Sequence, residues 1–410
     1  MSTNMIRTIL HIIVPLLWIT ECTPSFQHRR RHNKLSHSSV QTAPVSIIVD
    51  VPAPEPRLVR YSNPSALLRA CLPFDTWHMN IALGLMLQYL VFVGDSEPGP
   101  REPKLWFGVW TADQLDLVFV RAHGMGIFCS PVHSSLLFFN WLSTRMHLVA
   151  SALHTLIVSH TQTSLSSVFG AIALVQAFIP AYAAISGLEV CASVVRETLH
   201  THCPASRVSL DPPNLPEGHE IRVVRLGENE TMDGIVKFLQ EFSDPHRGPV
   251  AAFTLDMTQK RAKFGVWFGD MMLYVIRSED GEGEEYAGFV RVGRVTGRYA
   301  AVSSVFTAPK WRRRGIAEAL TRAAVVRLLS QPNNMADIIR PLMPPPQAGD
   351  EEAQLKVASV CIFAEKSNVS AQGIYTRVGF GFQERGWEEE GAKSWEECIE
   401  MAYAVRQGAM

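Results

Sequence analysis

Residues 301–329, AVSSVFTAPKWRRRGIAEALTRAAVVRLL, constrain this chain more than any other stretch. A β-rich run from Ala301 to Phe306 ends at Thr307-Ala308-Pro309, because proline cannot donate to a strand ladder. Arg312-Arg313-Arg314-Gly315-Ile316-Ala317 then makes a basic turn, in which Gly315 permits a positive φ or a close backbone approach. Ile316, Ala319, Leu320, Ala323 and Val326 recur at helical spacing. A helix that opens on such a turn presents unpaired backbone N–H groups, and these attract an anion together with the helix dipole. The expected ligand is a pyrophosphate. Taken alone, a basic glycine turn is more often only a helix start.

A second segment lies downstream. Val360 to Glu365 is a strand-like apolar run, followed by Asn368, Ala371, Ile374-Tyr375 and Gly379-Phe380. The first turn fits Arg/Gln-x-x-Gly-x-Gly/Ala through Arg312, Gly315 and Ala317. In this order, each behind a strand, the two segments resemble the acetyl-CoA loop and the Asn-x-x-Ala-x-x-x-Tyr signature of the GNAT superfamily of acyl-CoA N-acyltransferases. The expected fold class is therefore α/β (α+β): a mixed, mostly antiparallel sheet flanked by helices over 219–410, preceded by a second α/β domain.

The resemblance implies a role for each matching residue. Acyl transfer from a thioester to an amine needs a held donor, a polarised carbonyl, a deprotonated amine and a protonated leaving thiolate. Val305, Phe306 and Thr307 match a family strand that splays from its neighbour, so that freed backbone groups bind the acyl carbonyl and the pantetheine arm. Arg312, Arg313, Arg314, Gly315, Ile316 and Ala317 match the pyrophosphate cradle, with one arginine reaching the 3′-phosphate region and at least one simply solvated. Asn368 matches the residue that bonds the pantetheine arm, while its position also suits a helix N-cap. Tyr375 matches the general acid for the leaving thiolate, against a plain core tyrosine.

The general base is not legible. Glu365, Glu284 and Glu285 lie near the expected site, and Glu365 has a slight edge at a strand end. Acetyl-CoA is the implied cosubstrate, with no metal. The acceptor would be a small-molecule amine, amino acid or peptide, with its groove drawn from 242–269 and 278–285. A non-catalytic acyl-CoA-binding regulatory or interaction protein is the alternative.

Composition sets outer limits. With 410 residues and a net charge of -1, the chain can bury two or three cores and shows no global pull toward nucleic acid. Its seven cysteines are scattered, with no Cys-x-x-Cys or Cys/His ligand spacing, which argues against a disulfide framework or a zinc site.

Residues 1–50 read as a targeting or disordered segment. The apolar run Ile9 to Trp18 behind Arg7 suits a signal peptide, whereas Arg29-Arg30-Arg31 and the serines suit a mitochondrial presequence. Two points oppose secretion: an acyl-CoA site needs acyl-CoA, and a glycan on the Asn368-Val369-Ser370 sequon would block the expected cofactor site. The expected compartment is the cytoplasm, with mitochondria as the alternative.

Residues 51–203 resemble the N-terminal domain of two-domain GNAT proteins, a degenerate GNAT-like domain: helices from Asn63-Pro64, strands over 105–111 and 115–120, then mostly helix from 134 to 199. This half is expected to lack the CoA loop, although Arg121, Gly124 and Gly126 repeat the Arg-x-x-Gly-x-Gly spacing there. The uncharged run 166–186 reads as a buried helix rather than a membrane span, because Gly170, Gln176, Pro180 and Tyr182 lower its hydrophobicity. Pro204, Pro212, Pro213 and Pro216 mark a linker over 204–218. The proline-rich stretch 331–354 reads as a solvated insertion. Oligomeric state is not legible.

Overall fold

A computed structural model describes residues 54–93, 105–122, 125–159, 165–187, 190–225, 271–278, 283–343, 355–381 and 395–405, together with Ile235 and Phe238. The expectations for 1–50, for the acceptor loop 242–269 and for 344–354 lie outside the described residues.

The first half of the chain contributes β1 (Pro56–Arg60), α1 (Pro64–Cys71), α2 (Asn80–Val93), β2 (Trp106–Thr111), β3 (Gln114–Ala122) and β4 (Met125–Cys129). It continues with α3 (Phe139–Ser159), β5 (Ser167–Ala171), α4 (Ile172–Ser186) and β6 (Val190–Pro204). The second half contributes β7 (His219–Val223), β8 (Met271–Arg277), β9 (Glu284–Gly293), β10 (Tyr299–Thr307), α5 (Ile316–Ser330) and α6 (Ala336–Ile339). It ends with β11 (Ser359–Glu365), α7 (Val369–Val378) and β12 (Glu396–Val405).

Local chemistry explains the starts and the faces. Asn63 caps α1 by accepting the Ala66 N–H at 2.8 Å, and Pro64 fills the position whose N–H would be orphaned. Alternate residues of β2 enter two different cores. Trp106 and Trp110 pack with α1 and α2, whereas Phe107 and Val109 pack with α3 and α4. A buried ion pair pins α3 to the β2–β3 hairpin: Arg145 Nε donates to Asp116 Oδ2 at 2.8 Å, and Thr111 Oγ1 donates to the same oxygen at 2.5 Å. With both partners buried, the pair holds because each charge also gains hydrogen bonds.

Among the described residues all the strands join one twelve-stranded sheet, in the order β1-β2-β3-β4-β5-β12-β6-β11-β10-β9-β8-β7. The two halves are topological copies. In each, four antiparallel strands are followed by one parallel pair, β4 with β5 and β10 with β11. The last strand of each half crosses over: β6 pairs with β11 of the second half, and β12 pairs with β5 of the first. β6 and β12 then pair with each other at the centre.

The region 134–199 is mostly helix, as expected, with β5 and the first part of β6 also in it. Two expectations need correction. The uncharged run 166–186 is a buried strand, β5, and then helix α4, and no helix among the described residues is long and apolar enough to cross a membrane. Nor is 331–354 wholly a solvated insertion. Asn333 Nδ2 donates to the Thr296 carbonyl at 2.7 Å, and Ile339 and Leu342 are buried in the α1–α2 core. This segment therefore bridges the halves.

Candidate active site

β10 and β11 separate partway along their length. They pair in parallel from Tyr299↔Ser359 to Val302↔Ile362. Beyond that, β10 stays with β9 as far as Thr307↔Gly288, and β11 stays with β6 as far as Glu365↔Thr198. Residues 303–307 and 363–365 thus form the two lips of an opening in the sheet. A register shift between Val302 and Ser304 marks where the lips diverge, as a bulge that adds twist would do. Val305, Phe306 and Thr307 all lie on the β10 lip. The Thr307 hydroxyl is buried there with no hydrogen-bond partner.

The basic turn stands at the end of that lip. Gly315 has φ 77° and caps α5 with no side-chain bond, and Arg313 has φ 63°. A non-glycine residue held in the left-handed region stores strain of about 1–3 kcal/mol, a cost that tends to collect at functional turns. Ala319 N–H bonds to the Gly315 carbonyl, so helical pairing begins only there. Among the described residues the N–H groups of Arg313, Arg314, Gly315, Ile316, Ala317 and Glu318 donate to no other backbone group. A Cβ placed on Gly315 would meet nothing within 4 Å. Unpaired amides around open space suit a pyrophosphate.

The three arginines divide their work. Arg312 Nε donates to the Thr307 carbonyl at 3.2 Å and draws the turn over the strand end. The Arg314 guanidinium lies over the Trp311 ring, 4.7 Å from its centroid. Trp311 in turn donates to Glu285 at 2.6 Å, and Lys310 pairs with the same carboxylate. Glu285 is therefore engaged in bracing the turn. Glu284 is engaged by Arg222 at 2.7 Å and by Arg277 at 3.4 Å. Among the described residues Glu365 makes no ion pair.

The second motif forms α7. Asn368 is exposed, and its Oδ1 accepts the Ala371 N–H at 3.0 Å, so this oxygen serves as an N-cap. Its amide nitrogen is not used by that cap. Tyr375 is buried in the same cluster as Ile316 and Leu320 of α5 and Ile362 and Ala364 of β11. Burial pushes its phenol up to about 12, so it carries its proton at neutral pH. Phe380 meets the Tyr375 ring edge-on at 6.1 Å, and Arg377 ties α7 to Glu318 of α5 at 2.7 Å.

Among the described residues the other half lacks this arrangement. The corresponding connection, from β4 to α3, contains no glycine and no arginine. Its Ser134 N–H is already committed to Glu396 at 2.8 Å.

Residues 237–336 match the Acetyltransferase (GNAT) family model. The match takes in β8, β9, β10, the basic turn and α5, and ends before Asn368 and Tyr375. No curated protein matches the chain in sequence. Among solved structures, this chain is similar to a tandem GNAT protein from the clavulanic acid biosynthesis pathway, at 13% identity and a TM-score of 0.42, covering 87% of this chain and 100% of that one. It is also similar to a GCN5-related N-acetyltransferase from Sphaerobacter thermophilus, at 13% identity and a TM-score of 0.45, covering 86% and 97%. A GNAT-family acetyltransferase from Colwellia psychrerythraea follows at 12% identity and a TM-score of 0.37, covering 85% and 99%.

Sequence reasoning passed over the contribution of β6. That strand belongs by sequence to the first half, yet it holds the β11 lip in place. Nothing local in its residues signals a partner more than 150 positions away.

Proposed function

We propose that residues 219–410 form an acetyl-CoA-dependent N-acetyltransferase, with 51–203 as a companion that lacks the cofactor loop. The observation that carries this reading is the run of unpaired amides at 313–318 beside the parted strands β10 and β11. Arg312 to Ala317 hold the pyrophosphate, and the backbone of Val305, Phe306 and Thr307 receives the pantetheine arm and the thioester carbonyl. Asn368 adds its free amide nitrogen to that arm.

The acceptor is an amine on a small molecule, amino acid or peptide. Its nitrogen attacks the thioester carbonyl directly: a C–N bond forms, the C–S bond breaks, and the thiolate takes its proton from Tyr375. The amine proton leaves through Glu365 or water. The supply of acyl-CoA places this reaction in the cytoplasm, or in mitochondria if residues 1–50 direct import.

Calorimetry with acetyl-CoA tests the reading. The expected result is one cofactor per chain, with affinity at least about tenfold weaker in Gly315→Glu, where a carboxylate enters the anion site and a side chain strains the left-handed backbone by about 1–2 kcal/mol. Equal affinity in a folded variant rejects the site. Thiol release measured over a panel of amines, amino acids and peptides then separates the two functional readings. Binding without turnover would favour the non-catalytic binder.

A further inference from the structure

A second constellation lies in the first half, at the place that matches the opening described above. β4 and β5 pair in parallel only from Met125↔Ser167 to Ile127↔Phe169; Gly170 still lies against Phe128, and the ladder does not continue to Cys129 and Ala171. A cavity of about 10 Å³ sits at this end of the ladder, with room for about one water or ion. Its lining includes His78, Ser130, Ser134, His200, Glu396 and Cys398.

The crossover of the last strands brings these groups together. Glu396 of β12 lies opposite His200 of β6 in the ladder, and Cys398 follows two residues on, on the same face. His78 arrives from the turn before α2, and His133 from the β4–α3 connection. The ligand atoms of His78, His133 and Glu396 lie within 4.8 Å of one another, as do those of His200, Glu396 and Cys398. All five side chains are buried.

This is an expensive arrangement for a protein to keep without a ligand. Both ring nitrogens of His78 and Nε2 of His200 are buried with no hydrogen-bond partner. Such orphaned groups cost about 1–3 kcal/mol each. Glu396 already accepts the Ser134 N–H, which fixes the carboxylate orientation as an outer-shell partner does around a metal. Two imidazoles and a carboxylate are a donor set suited to zinc and its first-row neighbours.

We infer that the first half holds one divalent transition-metal ion on His78, His133 and Glu396, at the end of the β4–β5 ladder, with His200 and Cys398 bordering it. The ion would satisfy the orphaned imidazole and neutralise the carboxylate in one step. It occupies the mirror position of the proposed acyl-CoA opening and does not depend on that opening. Spacing along the chain hides it, because its three ligands are spread from residue 78 to residue 396.

The test uses the full chain, purified without chelator and then stripped and titrated with Zn²⁺ alone. Elemental analysis should find one metal per chain. Calorimetry should show one tight site, weakened at least about tenfold in His133→Ala and in Glu396→Gln, in keeping with the loss of a ligand. Glu396→Gln keeps an acceptor for the Ser134 N–H, so it separates lost binding from lost folding. Co²⁺ in place of Zn²⁺ should give visible absorption bands that both variants lose. A folded wild-type chain that purifies without metal and does not take up Zn²⁺ overturns the inference, as does unchanged affinity in folded His133→Ala.

Discussion

In the proposed reaction, the single side chain of Tyr375 serves packing and chemistry together. It is 8% exposed, and its phenol is held at about 12 by desolvation. A group so reluctant to ionise cannot act as a base at neutral pH, but it remains a competent proton donor to a thiolate formed beside it. Tyr375→Phe should therefore lower kcat by about 100-fold, within the usual range for a general acid, and leave KM for acetyl-CoA nearly unchanged. Because its pKa is raised, no alkaline loss of rate from Tyr375 should appear below about pH 11. Steady-state kinetics across pH check both points, and an unaltered kcat in the variant removes Tyr375 from the chemistry.

Among the elements, the seat of α5 matters most to the site. Gly288 of β9 lies under it, and a Cβ there would sit 2.6 Å from the Phe306 carbonyl oxygen and within 3.1 Å of Leu320 and Ile316. Gly288→Ala should cost about 1–3 kcal/mol through overpacking. It should also weaken acetyl-CoA binding, because the displaced groups are the β10 lip and the first turn of α5. Thermal unfolding and calorimetry measure the two effects, and a variant with unchanged stability and affinity would contradict this account of the seat.

These same elements were the legible ones. β10, the basic turn and α5 combine a proline stop, a glycine and an apolar helical period within one short window, so local rules suffice. The run 166–186 was opaque for the opposite reason. An uninterrupted apolar stretch carries no period to separate strand from helix, and although Gly170 precedes the break, Ala171 supplies no capping side chain to mark a helix start. Asn368 and Tyr375 were legible as a motif, whereas the orientation of each side chain depends on packing against α5 and β11. The partners of β6 and β12, and the histidine cluster they create, depend on topology that no window of sequence contains.

For the whole molecule, the exchanged strands remove any clean cut between halves. The boundary at 204–218 divides the sequence but not the sheet: residues 219–410 alone would leave β11 without β6, and β12 without either neighbour. That fragment should therefore show no cooperative thermal transition. The full chain should unfold with the central strands as one unit. Circular dichroism on heating decides this, and a sharp native-like melt of the fragment would refute it.

A consequence follows for how such a chain can change over generations. When two copies of one design trade their closing strands, each becomes the other's hem. The half outside the proposed acyl-CoA site is then free to vary but not to be discarded, since removing it would bare a raw backbone edge on the other half and invite clumping. Its interior becomes the part of the molecule where new side chains can be tried at least risk to the proposed site next door.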